Sequence, residues 1–355
     1  MDELRYGIIG TGMMGVEHIE NINALDGARV VAIADPAESS LGAGRAAAEN
    51  SVSAFSDYRS LLDDGGCDAV VVASPNMTHI DVLRNVLATD LAVLVEKPMC
   101  TTVEDCHAVV EMAQARQALV WVGLEYRYMP PVARLIERLA QGVAGNIHMV
   151  AIREHRFPFL PKVDDWNRFN RNTGGTLVEK CCHFFDLMSF IAGSKATRVM
   201  ASGGQSVNHL DESYGGHQSD ILDNAFVVVE HENGVRGMLD LCMFAEATHN
   251  QEEISVVGDK AKLEILMPEN VIRVGRRGDH NIGRVAIDQV IDATIPYAGY
   301  HYGSSYIEHR KFADAVRDGG EPEVTAMDGL LSVATGVAAH ISIEQQRPVL
   351  LSEVL

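Results

Sequence analysis

Residues 174–186 read GGTLVEKCCHFFD, which sets Glu179, Lys180, Cys181, Cys182, His183 and Asp186 within eight positions behind a glycine pair. Three chemistries use such residue types: a metal nest, a redox pair of thiols, or acid–base work without a metal. Adjacent cysteines on a helix diverge by about 100°, and no second Cys/His cluster occurs at zinc-like spacing. A disulfide between helical neighbours is strained, and buried cysteines pack as small hydrophobes. Acid–base chemistry is left, and no metal is expected. If residues 179–192 form one helix, Glu179 and His183 stand four apart and Asp186 three further on, so the three share a stripe. Glu179 then lies near the helix N-terminus, where the macrodipole favours a carboxylate. A glutamate or aspartate on that stripe would hold His183 in one tautomer.

A lysine lies at the end of another apolar run. In LVEKPM, Glu96, Lys97 and Pro98 close a strand pattern, and Pro98 cannot continue a hydrogen-bonded ladder. Lys97 is therefore expected at the mouth of a crevice, although a snorkelling surface lysine is the plainer reading. In VVASPNMTH, Ser74, Pro75, Asn76 and His79 close a further strand. Asn76 suits a helix N-cap. A strand-to-helix turn is enough to account for Asn76 and His79, and contact with a cofactor is the second reading.

The cofactor signal comes first in the chain. Gly10-Thr11-Gly12-Met13-Met14-Gly15 follows the first strand pattern directly and leads into a helical one. The first glycine permits a tight turn, the second lets backbone approach a pyrophosphate, and the third allows close packing of helix on strand. The phosphates then meet a helix N-terminus. The next strand, VVAIAD, ends in Asp35, twenty residues beyond Gly15, where a carboxylate accepts hydrogen bonds from the adenosine ribose. The same charge repels a 2′-phosphate, so the expected cofactor is NAD rather than NADP.

These residues need a frame. Residues 4–122 alternate short Val/Ile/Ala runs with amphipathic stretches, the pattern of a buried parallel sheet with helices on both faces. Around Gly123 the texture changes to long alternating segments, and Asn233-Gly234 between two strand patterns is a hairpin signal. The division expected is a dinucleotide-binding Rossmann domain over 1–122 and, over 123–355, an α+β domain for substrate binding and oligomerisation with a large, mostly antiparallel open sheet. The last amphipathic run, MDGLLSVATGVAAHISIEQQ, is a helix that packs internally, against the first domain or within the second. Residues 203–223 are aperiodic and read as a loop.

Composition sets the limits. The 355 residues suit two domains, and no run approaches the 18 or more consecutive apolar residues of a membrane span. A net charge of −20, from 29 basic and 49 acidic residues, disfavours nucleic acid and anionic membranes as partners. The N-terminal residues lack a signal-peptide pattern, and six scattered cysteines lack a disulfide framework. A cytoplasmic protein with a small-molecule substrate, forming homo-oligomers, is expected.

Taken in order, Gly10-x-Gly12-x-x-Gly15, Ser74-Pro75-Asn76-x-x-His79, Glu96-Lys97-Pro98 and Gly174-Gly175 followed by Glu179, His183 and Asp186 resemble the glucose-fructose oxidoreductase and inositol dehydrogenase family, Gfo/Idh/MocA. The resemblance spans nearly the whole chain. It implies a Rossmann domain followed by an open antiparallel sheet, and NAD(P)-dependent oxidation or reduction of a sugar or cyclitol hydroxyl. It also places Lys97 and His183 in the catalytic centre with residue 179 beside them, and implies dimers or tetramers built through the open sheet face. The chain departs from the family at 179, where aspartate is usual, and at Lys180-Cys181-Cys182, which replace a more neutral stretch.

The chemistry needs a base for the hydroxyl proton while hydride leaves carbon. His183 as acid/base with Lys97 hydrogen-bonding the reacting oxygen is the first assignment, and the reverse stays open. The cations Arg153, Arg156 and Arg168, with His155, lie in a locally basic stretch. They read either as surface ion pairs or as ligands for an anionic sugar substituent, and strand alternation separates Arg153 and His155 from Arg156. Tyr126, Arg127 and Trp166 are candidates for a substrate wall, with core or hinge packing as the alternative. A redox-neutral glycosidase that oxidises a ring carbon transiently and uses the same lysine, histidine and NAD is the competing function.

Overall fold

A computed structural model of the chain describes residues 3–49, 52–64, 66–299 and 301–355. The alternating first part becomes β1 (Leu4–Ile9), α1 (Met13–Asn23), β2 (Ala28–Ala34), α2 (Glu38–Ala47), β3 (Ser53–Phe55), α3 (Tyr58–Asp63), β4 (Ala69–Val72), α4 (His79–Val86), β5 (Ala92–Glu96), α5 (Val103–Gln114) and β6 (Val120–Gly123). The strands pair in parallel in the order β3-β2-β1-β4-β5-β6. Helices cover both faces, so Val70, Val71, Val72, Val93, Leu94 and Val95 are completely buried, which is why these strands read as unbroken apolar runs. The order reverses between β1 and β4, and the crevice outside the carboxyl ends of those strands is where such sheets bind ligands.

Beyond β6 the chain makes a helical turn over Glu125–Tyr128 and continues as α6 (Pro130–Ala140), β7 (Ile147–His155), α7 (Asn170–Thr173), α8 (Thr176–Glu179), α9 (Cys182–Ala192) and β8 (Ala196–Gly204). A two-stranded hairpin follows, β9 (Ser213–Tyr214) with β10 (His217–Gln218). Then come β11 (Asn224–His231), β12 (Arg236–Cys242), β13 (Glu252–Gly258), β14 (Ala261–Met267), β15 (Val271–Arg276), β16 (Ala286–Gln289), α10 (Ser304–Asp318), α11 (Ala326–Gln345) and β17 (Val349–Leu350). The larger sheet runs β16-β15-β14-β13-β7-β12-β11-β8-β17. Its pairings are antiparallel except β7 with β12. The expected hairpin forms: β11 and β12 pair from Asn224–Cys242 to Glu230–Arg236, and Gly234 takes φ +85° in the turn. The stretch 203–223 is more ordered than its composition suggests, since the Asp223 carboxylate accepts the backbone N–H groups of Ser206, Val207 and Asn208.

The two faces of the larger sheet differ. α9 and α11 lie on the inner side. α11 starts with a reciprocal Thr325–Asp328 capping box, touches both α5 and β8, and through His340 Nε2 accepts the Leu177 N–H at 3.2 Å. By length and composition α11 is apolar enough to cross a membrane, but most of it is buried within the fold. The outer side leaves Met149, Met200, Phe226, Met238 and Ile287 exposed.

Candidate active site

Gly10 takes φ +91°, and a Cβ there would stand 2.6 Å from the carbonyl oxygen of Ala73. Only glycine can therefore bring the end of β1 against the end of β4. Gly12, the residue before α1, has open space where its Cβ would be. Met13, Met14 and Gly15 open α1, whose first turn carries no side-chain cap and no acidic residue. These are the features a pyrophosphate needs, with donor N–H groups facing an unobstructed approach. At the end of β2, Asp35 accepts the N–H of Thr11 and of Ala37, both at 2.8 Å. A carboxylate has about four acceptor sites, so lone pairs remain for ribose hydroxyls. The crevice residues thus fit NAD: Gly12 and the start of α1 would hold the pyrophosphate, and Asp35 the ribose.

The ends of β4 and β5 form the floor of the crevice. Asn76 does not cap α4; it begins a short helical turn over 76–78, and its buried Nδ2 has no partner among the described residues. His79 is fully buried and bridges the two strand ends, with Nε2 2.9 Å from the Ser74 carbonyl and Nδ1 2.9 Å from that of Pro98. Both ring nitrogens face backbone carbonyls, so His79 clamps the two loops together. Glu96 is also turned inward. Its carboxylate takes His18 Nε2 at 2.9 Å and the Lys97 N–H at 3.0 Å, and His18 Nδ1 meets His309 Nε2 at 2.8 Å. Burial favours the neutral acid, but His18 together with the Lys97 and His301 charges outweighs it and holds Glu96 down at about 2. Glu96 therefore serves as a buried counter-charge to His18.

Lys97 follows β5 directly, and its Nζ donates to the backbone carbonyl of Glu179 at 3.2 Å. The tip of β5 and the segment after Gly174-Gly175 therefore meet. Both glycines have positive φ, +79° and +88°, and make the turn into α8. Residues 179–192 are not one helix. α8 ends at Glu179 and α9 begins at Cys182, with Lys180 and Cys181 between them. The break lets Lys180 point toward Tyr126 and the sheet, where its Nζ donates to Tyr126 Oη at 2.7 Å and pairs with Glu154 at 2.9 Å. Glu179 therefore closes a single turn, and the macrodipole argument does not apply to it.

The electrostatics of the three groups differ. Burial opposes the charge on Lys97, but Cys182, Glu96, Glu179 and Glu125 outweigh it and raise its pKa, so it stays an ammonium. Glu179 is pushed up to about 7, mainly by burial and against the pull of Lys97, Lys162 and Arg168. His183 is driven well below the usual histidine range by burial and by Lys97, Lys180 and His301. Its buried Nδ1 has no hydrogen-bond partner among the described residues, and neither Glu179 nor Asp186 holds it. Instead the Tyr126 ring stacks on the imidazole, with centroids 3.9 Å apart and planes 6° from parallel.

The other expected residues divide. Arg127 is not on a substrate wall: Nε and Nη2 grip Asp186 at 2.7 and 2.5 Å, and Nη1 donates to the Glu323 carbonyl at 2.9 Å. Arg153 and His155 project from β7 to the outer sheet face, where Arg153 pairs with Glu253 and His155 with Asp240, because alternation turns them away from inward-facing Glu154. Arg156 stays on the inner side, pairing with Glu154 at 3.3 Å. Arg168 is buried and holds the carbonyl of Phe159 and the side chain of Asn167. Trp166 is half-buried, and its carbonyl accepts from Asn172. Lys180, Glu154, Glu252 and His301 complete the surroundings. Glu154, Glu252 and His301 carry no local signal, because each comes from a different element and no spacing joins them to the stretch that holds Lys180.

Two family models describe this combination of folds. An oxidoreductase-family NAD-binding Rossmann model matches residues 4–124, and the family's C-terminal α/β model matches residues 136–351. The chain belongs to the Gfo/Idh/MocA oxidoreductase family. A myo-inositol 2-dehydrogenase of Thermotoga maritima is 28% identical, covering 99% of this chain and 100% of the relative. A scyllo-inositol 2-dehydrogenase (NAD(+)) of Bacillus subtilis is 25% identical over 98% of this chain and 96% of its own length. A levoglucosan dehydrogenase solved with NADH and levoglucosan superposes with a TM-score of 0.86 over 99% of this chain and 100% of that one; at 20% identity it speaks for the fold alone. The family assignment and the crevice make this an NAD-binding oxidoreductase.

Proposed function

We propose that the chain is an NAD-dependent dehydrogenase that oxidises a ring or chain hydroxyl of a cyclitol, sugar or sugar acid. The observation that carries the reading is the hydrogen bond from Lys97 Nζ to the Glu179 carbonyl, which brings the tip of β5 against the segment that carries His183, with neighbouring charges keeping Lys97 charged and burial keeping His183 neutral. Bound NAD supplies the hydride acceptor. Lys97 donates a hydrogen bond to the reacting oxygen and lowers the cost of its developing negative charge. His183 takes the hydroxyl proton, since its imidazole is uncharged where Lys97 is an ammonium. Glu179 Oε2, buried and unpartnered, accepts from a neighbouring substrate hydroxyl.

Relatives named as inositol 2-dehydrogenases support a polyol substrate. Lys162 and Arg168 near Glu179 add positive charge that also suits a sugar acid. The exposed apolar residues of the outer sheet face suit a homo-oligomer, a dimer or tetramer, and six free cysteines suit the cytoplasm. Mixing the protein and NAD with a panel of cyclitols, neutral sugars, sugar acids and glycosides tests the reading. NADH accumulating one-for-one with substrate consumed is the expected result. Aglycone release with no net NADH would replace it by the redox-neutral glycosidase.

A further inference from the structure

Histidines that act as bases are usually held by a carboxylate or carbonyl on the second ring nitrogen. Among the described residues His183 has no such partner: Nδ1 is buried and unbonded. What fixes its plane is the face-to-face Tyr126 ring at 3.9 Å. Tyr126 is itself 2% exposed, and its hydroxyl accepts from Lys180. Lys180 in turn is anchored on Glu154, which is completely buried on the inward side of β7.

The sheet supplies a reason for a lysine there. Glu154 lies directly opposite Glu252 in the antiparallel β7–β13 ladder, and both side chains face inward. Like charges in that register repel, and burial together with Glu154 pushes Glu252 up to about 7. A cation between the α8–α9 break and the ladder relieves this, and Lys180 with Arg156 provides it. The interrupted helix is what allows Lys180 to reach.

We infer that Lys180 is a positioning residue of the proposed dehydrogenase site, acting through Tyr126 to fix the His183 ring and placing its ion-paired amine beside it. The inference rests on the proposed function for its purpose but not for its geometry. The groups facing His183 are Lys97 from β5, Lys180 from the α8–α9 junction, His301 ahead of α10 and Tyr126 from the turn after β6. Those facing Lys180 are Glu154 and Arg156 from the end of β7, Glu252 from β13, and the rings of Tyr126 and Phe184. The charges around His183 are thus cationic, and an imidazolium there would face repulsion on three sides.

The test is the titration of the His183 ring in the full-length protein carrying NAD, followed by NMR of labelled histidine and assigned with His183→Gln. Lys180→Met combined with Glu154→Gln removes the ion pair without leaving a lone buried charge. The expected result is a midpoint raised by about one pH unit or more relative to wild type. An unchanged midpoint in the folded double variant overturns the inference. If that variant does not fold, Lys180→Gln takes its place, since the amide can still donate to the Tyr126 hydroxyl but carries no charge. A raised midpoint supports the inference, and an unmoved one overturns it. The readout needs no substrate, so a protein that oxidises no polyol yet shows the shift fails the proposed function and not this one. Where activity is measurable, the acid limb of kcat/KM moves up with the midpoint while KM stays within about twofold.

Discussion

The Lys97 ammonium donates to the backbone carbonyl of Glu179 at 3.2 Å, while the Glu179 carboxyl keeps a buried oxygen with no partner among the described residues. The acid is therefore pushed up to about 7, against an ordinary 4.5. A raised pKa means that the folded protein binds this proton more tightly than the unfolded chain. The resulting stability is fully present below about 4.5 and is lost as pH rises through about 7. Glu179→Gln, which cannot ionise, is expected to be more stable than wild type at pH 8, by up to about 3 kcal/mol, and to lose that advantage near pH 5. Denaturant melts of both proteins without ligand at the two pH values check this.

Lys97→Met and His183→Gln are each expected to lower kcat by about 10²- to 10⁴-fold. Neither contributes to the pyrophosphate or ribose contacts, so the NADH dissociation constant should stay within about threefold. Fluorescence titration of NADH alongside initial-rate kinetics separates the two effects. Full activity in either variant removes that residue from its role.

Arg127 and Asp186 are 7% and 4% exposed, and together they tie the turn after β6 to α9. Breaking a buried pair leaves one charge uncompensated, so Asp186→Asn is expected to cost about 3–5 kcal/mol of stability. If the pair is structural, KM for the substrate should change little at temperatures where the variant is folded. A large KM change with unaltered stability would return Arg127 to the substrate wall.

The two crevice glycines should behave differently on substitution. A methyl group at position 12 meets open space, while one at position 10 runs into backbone at 2.6 Å in a positive-φ residue. Gly12→Ala is expected to fold with a wild-type melting curve but to bind NADH at least about tenfold more weakly, because the methyl fills the approach to the phosphates. Gly10→Ala is expected to be destabilised outright. Calorimetric binding and thermal melts distinguish them.

Local patterns made the Rossmann half legible. Its strands are buried on both faces, and its glycines and Asp35 are tied to one turn and one strand end. The larger sheet was legible through alternation and through Asn233-Gly234. Period-2 alternation also contained the reason Arg153 and His155 leave the site, since Glu154 is the inward residue between them. The break at Lys180 was not visible, because Glu179, His183 and Asp186 satisfy helical spacing whether or not the helix is continuous. The chain kinks at Lys180-Cys181 while both keep right-handed helical φ/ψ, and the partners that hold the Lys180 side chain are tertiary: Tyr126 and Glu154, 54 and 26 positions away in the chain. The inward turn of Glu96 likewise depends on His18, 78 residues earlier.

Hydride transfer itself is the most direct test. A polyol that supports turnover is prepared with deuterium on the reacting carbon and incubated with the protein and excess NAD. Mass spectrometry should then find the label on the reduced nicotinamide, equimolar with ketone product, and the transfer should vanish in His183→Gln. Label that stays in a hydrolysed sugar, or appears in water while NAD is recovered oxidised, would contradict a dehydrogenase built on Lys97 and His183.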